Sequence, residues 1–589
     1  MNKILSILLA AVVLLSGCKD LIEPAIENNR QLDPADYVPG DARFPFGLLL
    51  NGYNRLPTNG WSFNDVATDD AVSNDPNNGY LKIALGQWTA TNNPASQWNN
   101  SFAAIQYMNI ALEEIEKAKL AADPVVSDLY KKRFKAEARG LRAIFFYHLL
   151  QNHAGVAQDG KLLGVPLLLS VQTPASEFNI PRATFEECMQ QIYTDLDAAI
   201  EALPLDYEDV AGTGQIPSHY GNITVSQYNR VFGSAFRGFF TARIARAIKA
   251  QAALLAASPA YSAGSTTTWA QAANYAGAVL ALKGGVGSLA ANGLTWYSNA
   301  SEITALKDGA NPPEILWRNN YADNRDLEQA NFPPTLFGSG RINPTQNLVD
   351  AFPMANGYPI SDPNSGYNSN DPYAGRDPRL RTFILVNGGT AGPANTVITT
   401  AADGLSNDAL NKVETSTRTG YYLRKLLRQD VNLNPNSVNN QRHYKPHIRY
   451  TEILLMYAEA ANEAWGPTGF GEQSFSAYDV IKAIRGRAGV GTNNGDPYLE
   501  AAKTSKETMR ALIRNERRLE LCFEGFRFWD LRRWNANLTE TAKGMSIRNG
   551  TYSIINVQER LFESYMNYGP IPQSETLKFS ALQQNKGWQ

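Results

Sequence analysis

The chain has 589 residues, a formal net charge of −2 and 19% charged residues. This length allows one large domain or several, and it is ample for a sizeable core. The near-neutral charge gives no electrostatic basis for binding nucleic acid, which requires a basic surface. With only three cysteines, the chain has no disulfide framework and must rely on its core for stability.

The first eighteen residues have the pattern of a lipoprotein signal. Lys3 supplies a positive charge, residues 4–15 form an apolar run, and the four residues ending at Cys18 read LSGC. This run is too short to cross a bilayer, which takes about 20 residues. We therefore predict a signal peptide over residues 1–17 and a lipidated tether over 18–40, with Cys18 as the lipid attachment site. A plain secretory signal is the alternative.

Helical patterns dominate beyond the tether. Apolar residues recur at three- and four-residue steps, which predicts amphipathic helices, and Thr184 with Glu187 has the pattern of a capping box. Many of these helices are rich in small residues, as closely packed antiparallel helix pairs require. The predicted helices cover residues 98–118, 132–151, 184–203, 239–257, 269–282, 450–465, 477–488 and 506–523.

Long irregular segments separate the helices, namely 204–238, 284–349 and 353–446. Loops of this length in a compact protein are usually functional or disordered. Within the last of them, residues 387–419 are rich in Gly, Ala, Asn and Thr, which predicts a mobile or short-stranded excursion. The glycine run at 489–495 follows a helix and lacks a phosphate-loop lysine, so it is interpreted as a helix stop.

The segment Arg514–Trp534 interleaves arginines, carboxylates and large aromatic residues. A solvated helix has no use for so many aromatic side chains, and an apolar core cannot hold so many charges. Because a guanidinium group can satisfy its hydrogen bonds while buried, we predict a packed structural network of arginine and glutamate. The segment contains no nucleophile or free base, so it does not predict catalysis.

Four segments in the same order resemble the SusD/RagB family of outer-membrane nutrient-binding lipoproteins. One is RNERRLELCFEGFRFWDLRRW at 514–534. The others are NPTQNLVDAFPMANGYPI followed by DPYAGRDPRL within 343–380, YKPHIRYTEILLMYAEAANE at 444–463, and YMNYGPIPQSETLKFSALQQNKGW at 565–588. The resemblance covers roughly the C-terminal half, and the N-terminal half matches more loosely.

The resemblance implies a mainly α fold: a tetratricopeptide-like superhelix of four helix pairs with an irregular, loop-rich second subdomain that carries few short strands. We assign the SusD-like body to residues 41–589. Its helical scaffold is predicted at about 95–285 and 445–535, and its loop-rich subdomain mainly at 286–445 and 536–589.

The resemblance also implies a function. It predicts a lipid-anchored protein exposed at the surface of the outer membrane, which captures a glycan and delivers it to a partner TonB-dependent transporter of the SusC type. No enzymatic activity and no cofactor are expected. The acidic residues Asp20 and Glu23 resemble the family's signal for export to the cell surface.

Two groups of residues are the predicted glycan contacts. Sugars present apolar faces and a rim of hydroxyl groups, so their sites combine exposed aromatic rings with amides and carboxylates. In the resembled family, ligand contacts commonly come from the early loops and the mid-chain loops. For each aromatic residue, packing in the core is the alternative. The candidates are Trp61, Asp69 and Trp88 in the early loops, and Trp296, Tyr297 and Asn320 in the mid-chain loops.

Other chemistry has less support in the sequence. His443 and His447 have helix-like spacing, but Pro446 between them argues against a shared helical face. No clustered carboxylate or cysteine completes a zinc set. The pair Asp69 and Asp70 cannot by itself make a glycosidase, which needs two carboxylates at a defined separation.

The sequence leaves three questions open. A peptide-binding role on the same scaffold is the first alternative to glycan binding, and a glycoside hydrolase is the weaker one. A bound calcium ion is possible but not indicated, because no loop of the EF-hand type is present.

Overall fold

The computed structural model describes residues 43–57, 62–307 and 309–588. The predicted signal peptide and tether, including Cys18, lie outside the described residues, as does Trp61. Within these ranges no helix combines the length and the apolar character that a membrane span needs.

Helices dominate the described residues, as the apolar periodicity predicts. They are α1 (Arg43–Asn54), α2 (Gly79–Ala84), α3 (Trp98–Lys117), α4 (Pro124–His153), α5 (Phe185–Ala202), α6 (Val225–Phe232), α7 (Ala242–Ala257), α8 (Trp269–Ala281), α9 (Ala300–Thr304), α10 (Asp326–Asn331), α11 (Gln346–Ala351), α12 (Arg379–Phe383), α13 (Tyr450–Trp465), α14 (Ala477–Ala488), α15 (Pro497–Ala502), α16 (Lys506–Glu520), α17 (Arg527–Arg533) and α18 (Gln573–Lys578).

The long helices pack as consecutive pairs. Helix α3 packs on α4, α4 on α5, α5 on α7, α7 on α8, α8 on α13, and α13 on both α14 and α16. Small residues permit this packing: a Cβ atom added at Gly140 of α4 would lie 2.2 Å from the ring of Phe240. The predicted mainly helical fold built from helix pairs is confirmed.

Local sequence signals set several helix ends. Thr184 and Glu187 form the predicted capping box at the start of α5. Helix α14 ends at Gly489, whose φ of +83° suits a residue without a side chain. The glycine run that begins there is therefore a helix stop, as predicted.

Strands are short and pair only in twos across the described ranges, always antiparallel. The pairs are β1 (Ala71–Ser73) with β6 (Ile342–Pro344), β2 (Gly155–Val156) with β3 (Leu162–Leu163), β4 (Ile315–Arg318) with β12 (Pro446–Arg449), β5 (Ala322–Asn324) with β11 (Gln441–His443), β7 (Ile384–Leu385) with β10 (Tyr422–Leu423), β8 (Thr390–Ala391) with β9 (Thr396–Val397), and β13 (Ala542–Arg548) with β14 (Thr551–Gln558).

These strands settle two sequence predictions. The segment 387–419 is a short-stranded excursion, because it contains the β8–β9 hairpin. His443 and His447 lie on different strands and not on a shared helical face, as predicted from Pro446.

Two large apolar clusters form the core. The first, which we call the helical core, is built mainly from α1, α3–α5, α7, α8, α13, α14 and α16. The second, the loop core, gathers residues mainly from 296–444. Cys188 is buried in the first cluster and Cys522 in the second, and both are free thiols. The predicted subdomain boundaries remain a prediction, and Ile571 and Leu582 of the C-terminal segment pack in the helical core.

An ion-pair network joins the two cores through the C-terminal segment. Arg379 contacts Asp377 at 2.7 Å and Glu516 at 2.9 Å, and all three side chains are fully buried. Arg449 contacts Glu314 at 2.8 Å, and Glu520 binds Arg487 at 2.6 Å. The predicted structural network of arginine and glutamate is therefore confirmed.

The arginines keep the buried carboxylates of this network charged. Burial alone pushes the pKa of Glu520 upward, but the charges of Arg487, Arg449 and Arg379 lower it to about 2. Charge-assisted hydrogen bonds from guanidinium groups thus offset the cost of removing the carboxylates from water.

Candidate ligand-binding cavity between the two cores

A cavity of about 90 Å³ lies where α4, α7, α13 and β12 meet α17. Three tryptophans line it: Trp296 before α9, Trp317 on β4 and Trp529 on α17. Leu56 and Pro57, which immediately precede the segment 58–61, also line it. The cavity is therefore formed by segments from all along the chain, at the junction of the helical core and the loop core.

Five buried polar atoms of the cavity residues have no hydrogen-bond partner among the described residues. Leaving a buried donor or acceptor unpaired costs about 1–3 kcal/mol, so such atoms mark places where water or a ligand completes the bonding. The donors are Nε1 of Trp296, Nε1 of Trp529 and Nη1 of Arg517, and the acceptors are Oε1 of Gln151 and Oε2 of Glu452.

Two of these groups, Gln151 and Glu452, are held by one hydrogen bond and keep a second polar atom unpaired. The Gln151 amide donates to the hydroxyl of Tyr147 at 3.4 Å, while its Oε1 is unpaired. Glu452 accepts from the amide of Gln251 at 2.6 Å through Oε1, while its Oε2 is unpaired. The geometry thus preorganises a small set of donors and acceptors without satisfying them.

Burial shifts the pKa of three cavity side chains toward their neutral forms. Burial lowers the pKa of His148 and of His447 to about 4, so both imidazoles are uncharged at pH 7. Burial also raises the pKa of Glu452 to about 7. The ring of His447 lies 4.4 Å from that of Trp317, which adds a second aromatic surface.

The charged residues of the cavity wall are compensated by partners. Arg517 binds Asp530 at 3.0 Å, and Arg449 binds Glu524 at 2.7 Å. A wall of tryptophan rings, neutral imidazoles and unpaired amide and carboxyl oxygens suits an uncharged, hydroxylated ligand better than an ion.

The size of the cavity limits what it can hold in this conformation. Pockets for drug-sized ligands are typically about 300–1,000 Å³, whereas this cavity is about 90 Å³. It has room for a few water molecules or for the protruding hydroxyl groups of a sugar. Binding of a whole sugar ring requires the walls to move apart.

Of the residues predicted from sequence, Trp296 is the one that lines this cavity. Its ring is almost completely buried, so it contributes to the interior wall and not to an exposed platform. Trp61 belongs to the segment 58–61 outside the described residues, and its role stays a prediction.

Three further predicted contacts have side chains that the fold occupies, and their role in binding stays a prediction. Trp88 is only 4% exposed, and its ring packs 4.9 Å from that of Trp588. Tyr297 is buried in the loop core. Asp69 accepts from Arg518 at 2.7 Å and also pairs with Arg527.

Asn320 lies apart from the cavity. It is exposed in the connection between β4 and β5. The neighbouring Tyr321 carries the guanidinium of Arg442 over its ring at 4.0 Å. Asn320 therefore remains a predicted surface contact, separate from Trp296.

Several polar residues that line the cavity are not among those predicted from the sequence. Gln151, Gln251 and Glu452 each interrupt the buried face of a long helix: Gln151 follows Tyr147 by one turn, and Gln251 follows Ile248 by three residues. A polar residue within an otherwise apolar stripe is the signal that points to them.

Two family models match the chain. One is described as "SusD family" and matches residues 313–588, and the other is described as "Starch-binding associating with outer membrane" and matches residues 52–215. The chain belongs to the SusD family. The resemblance carried by the four C-terminal segments is therefore confirmed, and the N-terminal half is matched as well.

Similar proteins agree with this membership. "SusD-like protein P2" of Formosa agariphila is 32% identical over 98 residues, which is 17% of this chain and 18% of that protein. The chain thus aligns with less than a fifth of that curated relative.

Solved structures show the same fold over nearly the whole chain. A SusD-like protein from Bacteroides fragilis has a TM-score of 0.69 at 23% identity, covering 92% of this chain and 96% of its own. A "SusD-like carbohydrate binding protein" from the same species has a TM-score of 0.65 at 22% identity, covering 91% and 98%.

Proposed function

We propose that this SusD-family protein is a non-enzymatic glycan-binding lipoprotein of the outer membrane. In this proposal Cys18 anchors it to the cell surface, and it passes captured oligosaccharide to a TonB-dependent transporter of the SusC type. The family description that names starch binding and association with the outer membrane supports the ligand class and the location. The carbohydrate-binding structural relative also supports the ligand class.

The cavity between the two cores is the observation on which the ligand assignment depends. Its unpaired donors on Trp296, Trp529 and Arg517 and its unpaired acceptors on Gln151 and Glu452 match the mixed donor and acceptor character of sugar hydroxyl groups. Once the walls have moved apart to admit a sugar ring, the three tryptophan rings would supply the apolar surface that its C–H faces need.

A binding experiment tests this assignment. A glycan array of the full-length protein identifies an oligosaccharide ligand, and calorimetry then measures its Kd with Gln151→Leu and Trp296→Phe. Because each variant removes an unpaired polar atom of the cavity and leaves an apolar side chain in its place, we expect the Kd to rise tenfold or more, which equals about 1.4 kcal/mol. Asn320→Ala is the control for the separate surface and should leave the Kd unchanged if the cavity is the site.

Other results would redirect the proposal. An unchanged Kd in both cavity variants would remove the cavity from the site, and a loss of affinity in Asn320→Ala alone would move the site to the β4–β5 surface. Failure of every glycan together with saturable binding of a peptide that both cavity variants weaken would favour the peptide-binding alternative on the same scaffold.

A further inference from the structure

A second and larger groove of about 620 Å³ lies between β1 and β14. It shares no lining residue with the cavity described above. Four consecutive residues of β14, Ile555–Gln558, line it. Neighbouring side chains of a strand point to opposite faces, so a groove that touches consecutive residues runs along the strand's edge.

The ladder between β13 and β14 shows which backbone groups of β14 face away from β13. The N–H of Met545 donates to the carbonyl of Thr419 at 2.7 Å, so it points away from β14. Met545 lies opposite Ile554, which makes them a non-hydrogen-bonded pair. The N–H and C=O of Ile554 therefore point away from β13.

Asn556, two residues further along β14, has its backbone groups in the same orientation. The N–H of Lys543 donates to the side chain of Asn347 at 2.8 Å, again away from β14. Lys543 lies opposite Asn556, so the backbone groups of Asn556 also point away from β13. Asn556 lines the groove.

Strand β1 offers a matching edge. The N–H of Thr345 donates to the carbonyl of Asp70 at 3.0 Å, and the N–H of Asn74 donates to the carbonyl of Arg341 at 3.2 Å. With Ser73 opposite Ile342, these bonds place Ser73 in a non-hydrogen-bonded pair, so its backbone groups point away from β6. Ser73 lines the groove too.

The edge of β14 lacks the usual protection against strand addition. Exposed edge strands normally carry charged residues or proline, whereas Thr551–Gln558 contains neither. Val72, Leu81 and Val557 provide apolar lining, and Glu414 and Arg418 add one charge of each sign. The groove therefore favours an occupant that has no net charge and whose backbone N–H and C=O groups can form hydrogen bonds with the strand edges.

We propose that this groove is a strand-acceptor site, which binds an extended segment of a partner polypeptide between the edges of β14 and β1. The inserted strand would exchange backbone hydrogen bonds with Asn556 on one side and with Ser73 on the other, and would place alternate side chains on the apolar lining. An oligosaccharide would instead bind through the side-chain amides of the groove. This site is independent of the proposed glycan function.

Proline substitution separates these occupants. Asn556→Pro removes the groove-facing N–H without removing a ladder bond to β13, and Asn556→Ser keeps the N–H as the matched control. The probe is a fluorescein-labelled eight-residue peptide of alternating threonine and valine with blocked ends, measured by fluorescence anisotropy with the full-length protein. We expect saturable binding that is at least tenfold weaker for Asn556→Pro and unchanged for Asn556→Ser. The same peptide N-methylated at alternate residues should not bind.

Ile554→Pro provides a second test at a neighbouring outward N–H, in case Asn556→Pro does not fold. No saturable binding of the peptide, or equal binding by a folded proline variant, overturns the proposal. If an oligosaccharide displaces the peptide and binds the proline variants with unchanged affinity, the proposal is overturned and the groove is a sugar site. If sedimentation shows that the native protein is a dimer and that Asn556→Pro is a monomer, the proposal is overturned and the occupant is a second copy of the chain.

Discussion

The ion-pair network and the cavity are both buried and polar, yet they differ in how their hydrogen bonds are met. In the network, Glu516 accepts from Arg379 at 2.9 Å and from Arg485 at 3.0 Å. In the cavity, Gln151 and Glu452 each keep one oxygen unpaired. Polar groups with charged partners stabilise a fold, whereas preorganised groups without partners are available to a ligand. Burial alone therefore does not tell a structural cluster from a binding site.

The largest expected effect comes from breaking the network. Arg379→Met leaves Asp377, Glu516 and Glu520 without one of their partners in a fully buried site. Removing one partner of a buried ion pair costs about 3–5 kcal/mol, so we expect a loss of this size in the free energy of unfolding, measured with urea. Lys503→Met at the exposed pair with Glu500 is the control and should cost far less than Arg379→Met. Equal losses in the two variants would contradict a structural role for the network.

A smaller effect is expected from the neutral histidines of the cavity, and it depends on pH. Burial lowers the pKa of His447 from 6.5 to about 4, so below pH 6.5 the unfolded chain binds a proton that the folded chain does not. Stability is therefore lost as pH falls from 6.5 to 4, by about 3 kcal/mol for this group at the lower limit.

His447→Gln removes this contribution. The difference in unfolding free energy between the variant and the native protein should change by about 3 kcal/mol between pH 7 and pH 4, in favour of the variant at low pH. The exposed His219 serves as the comparison, and His219→Gln should show a much smaller change. A flat difference for His447→Gln would mean that the imidazole is not held neutral.

Local patterns predicted much of the fold. The apolar period and capping box indicated a helix at 184–203, and the structure has Phe185–Ala202. The mixture of arginines and carboxylates at 514–534 predicted the ion-pair network, because each of these residue types is costly to bury without the other. Such features depend on neighbours in the sequence, so they can be read without the structure.

Contacts between distant segments could not be predicted in this way. Trp88 lies in sequence typical of a loop, but its ring is covered by Trp588 from the other end of the chain. Gln151 and Glu452 belong to helices far apart in the sequence, and only the packing of α4 near α13 brings both to one cavity. Whether an aromatic ring of a loop is exposed or covered depends on such long-range packing.

The smallest expected effect is the change in unfolding free energy when a buried glutamine is replaced by leucine. The same substitution at two buried glutamines, one fully hydrogen-bonded and one in the cavity, compares the two kinds of buried polar group directly. Gln106 donates to the carbonyl of Gln172 at 2.8 Å and accepts from its N–H at 3.0 Å, so Gln106→Leu leaves two backbone groups unpaired and should cost about 2–3 kcal/mol. Gln151→Leu removes an acceptor that has no protein partner and one long hydrogen bond of 3.4 Å to the hydroxyl of Tyr147, so the free energy of unfolding should fall by less than about 1 kcal/mol. Urea unfolding of both variants measures the difference, and a loss in Gln151→Leu as large as that in Gln106→Leu would show that the cavity group is structural.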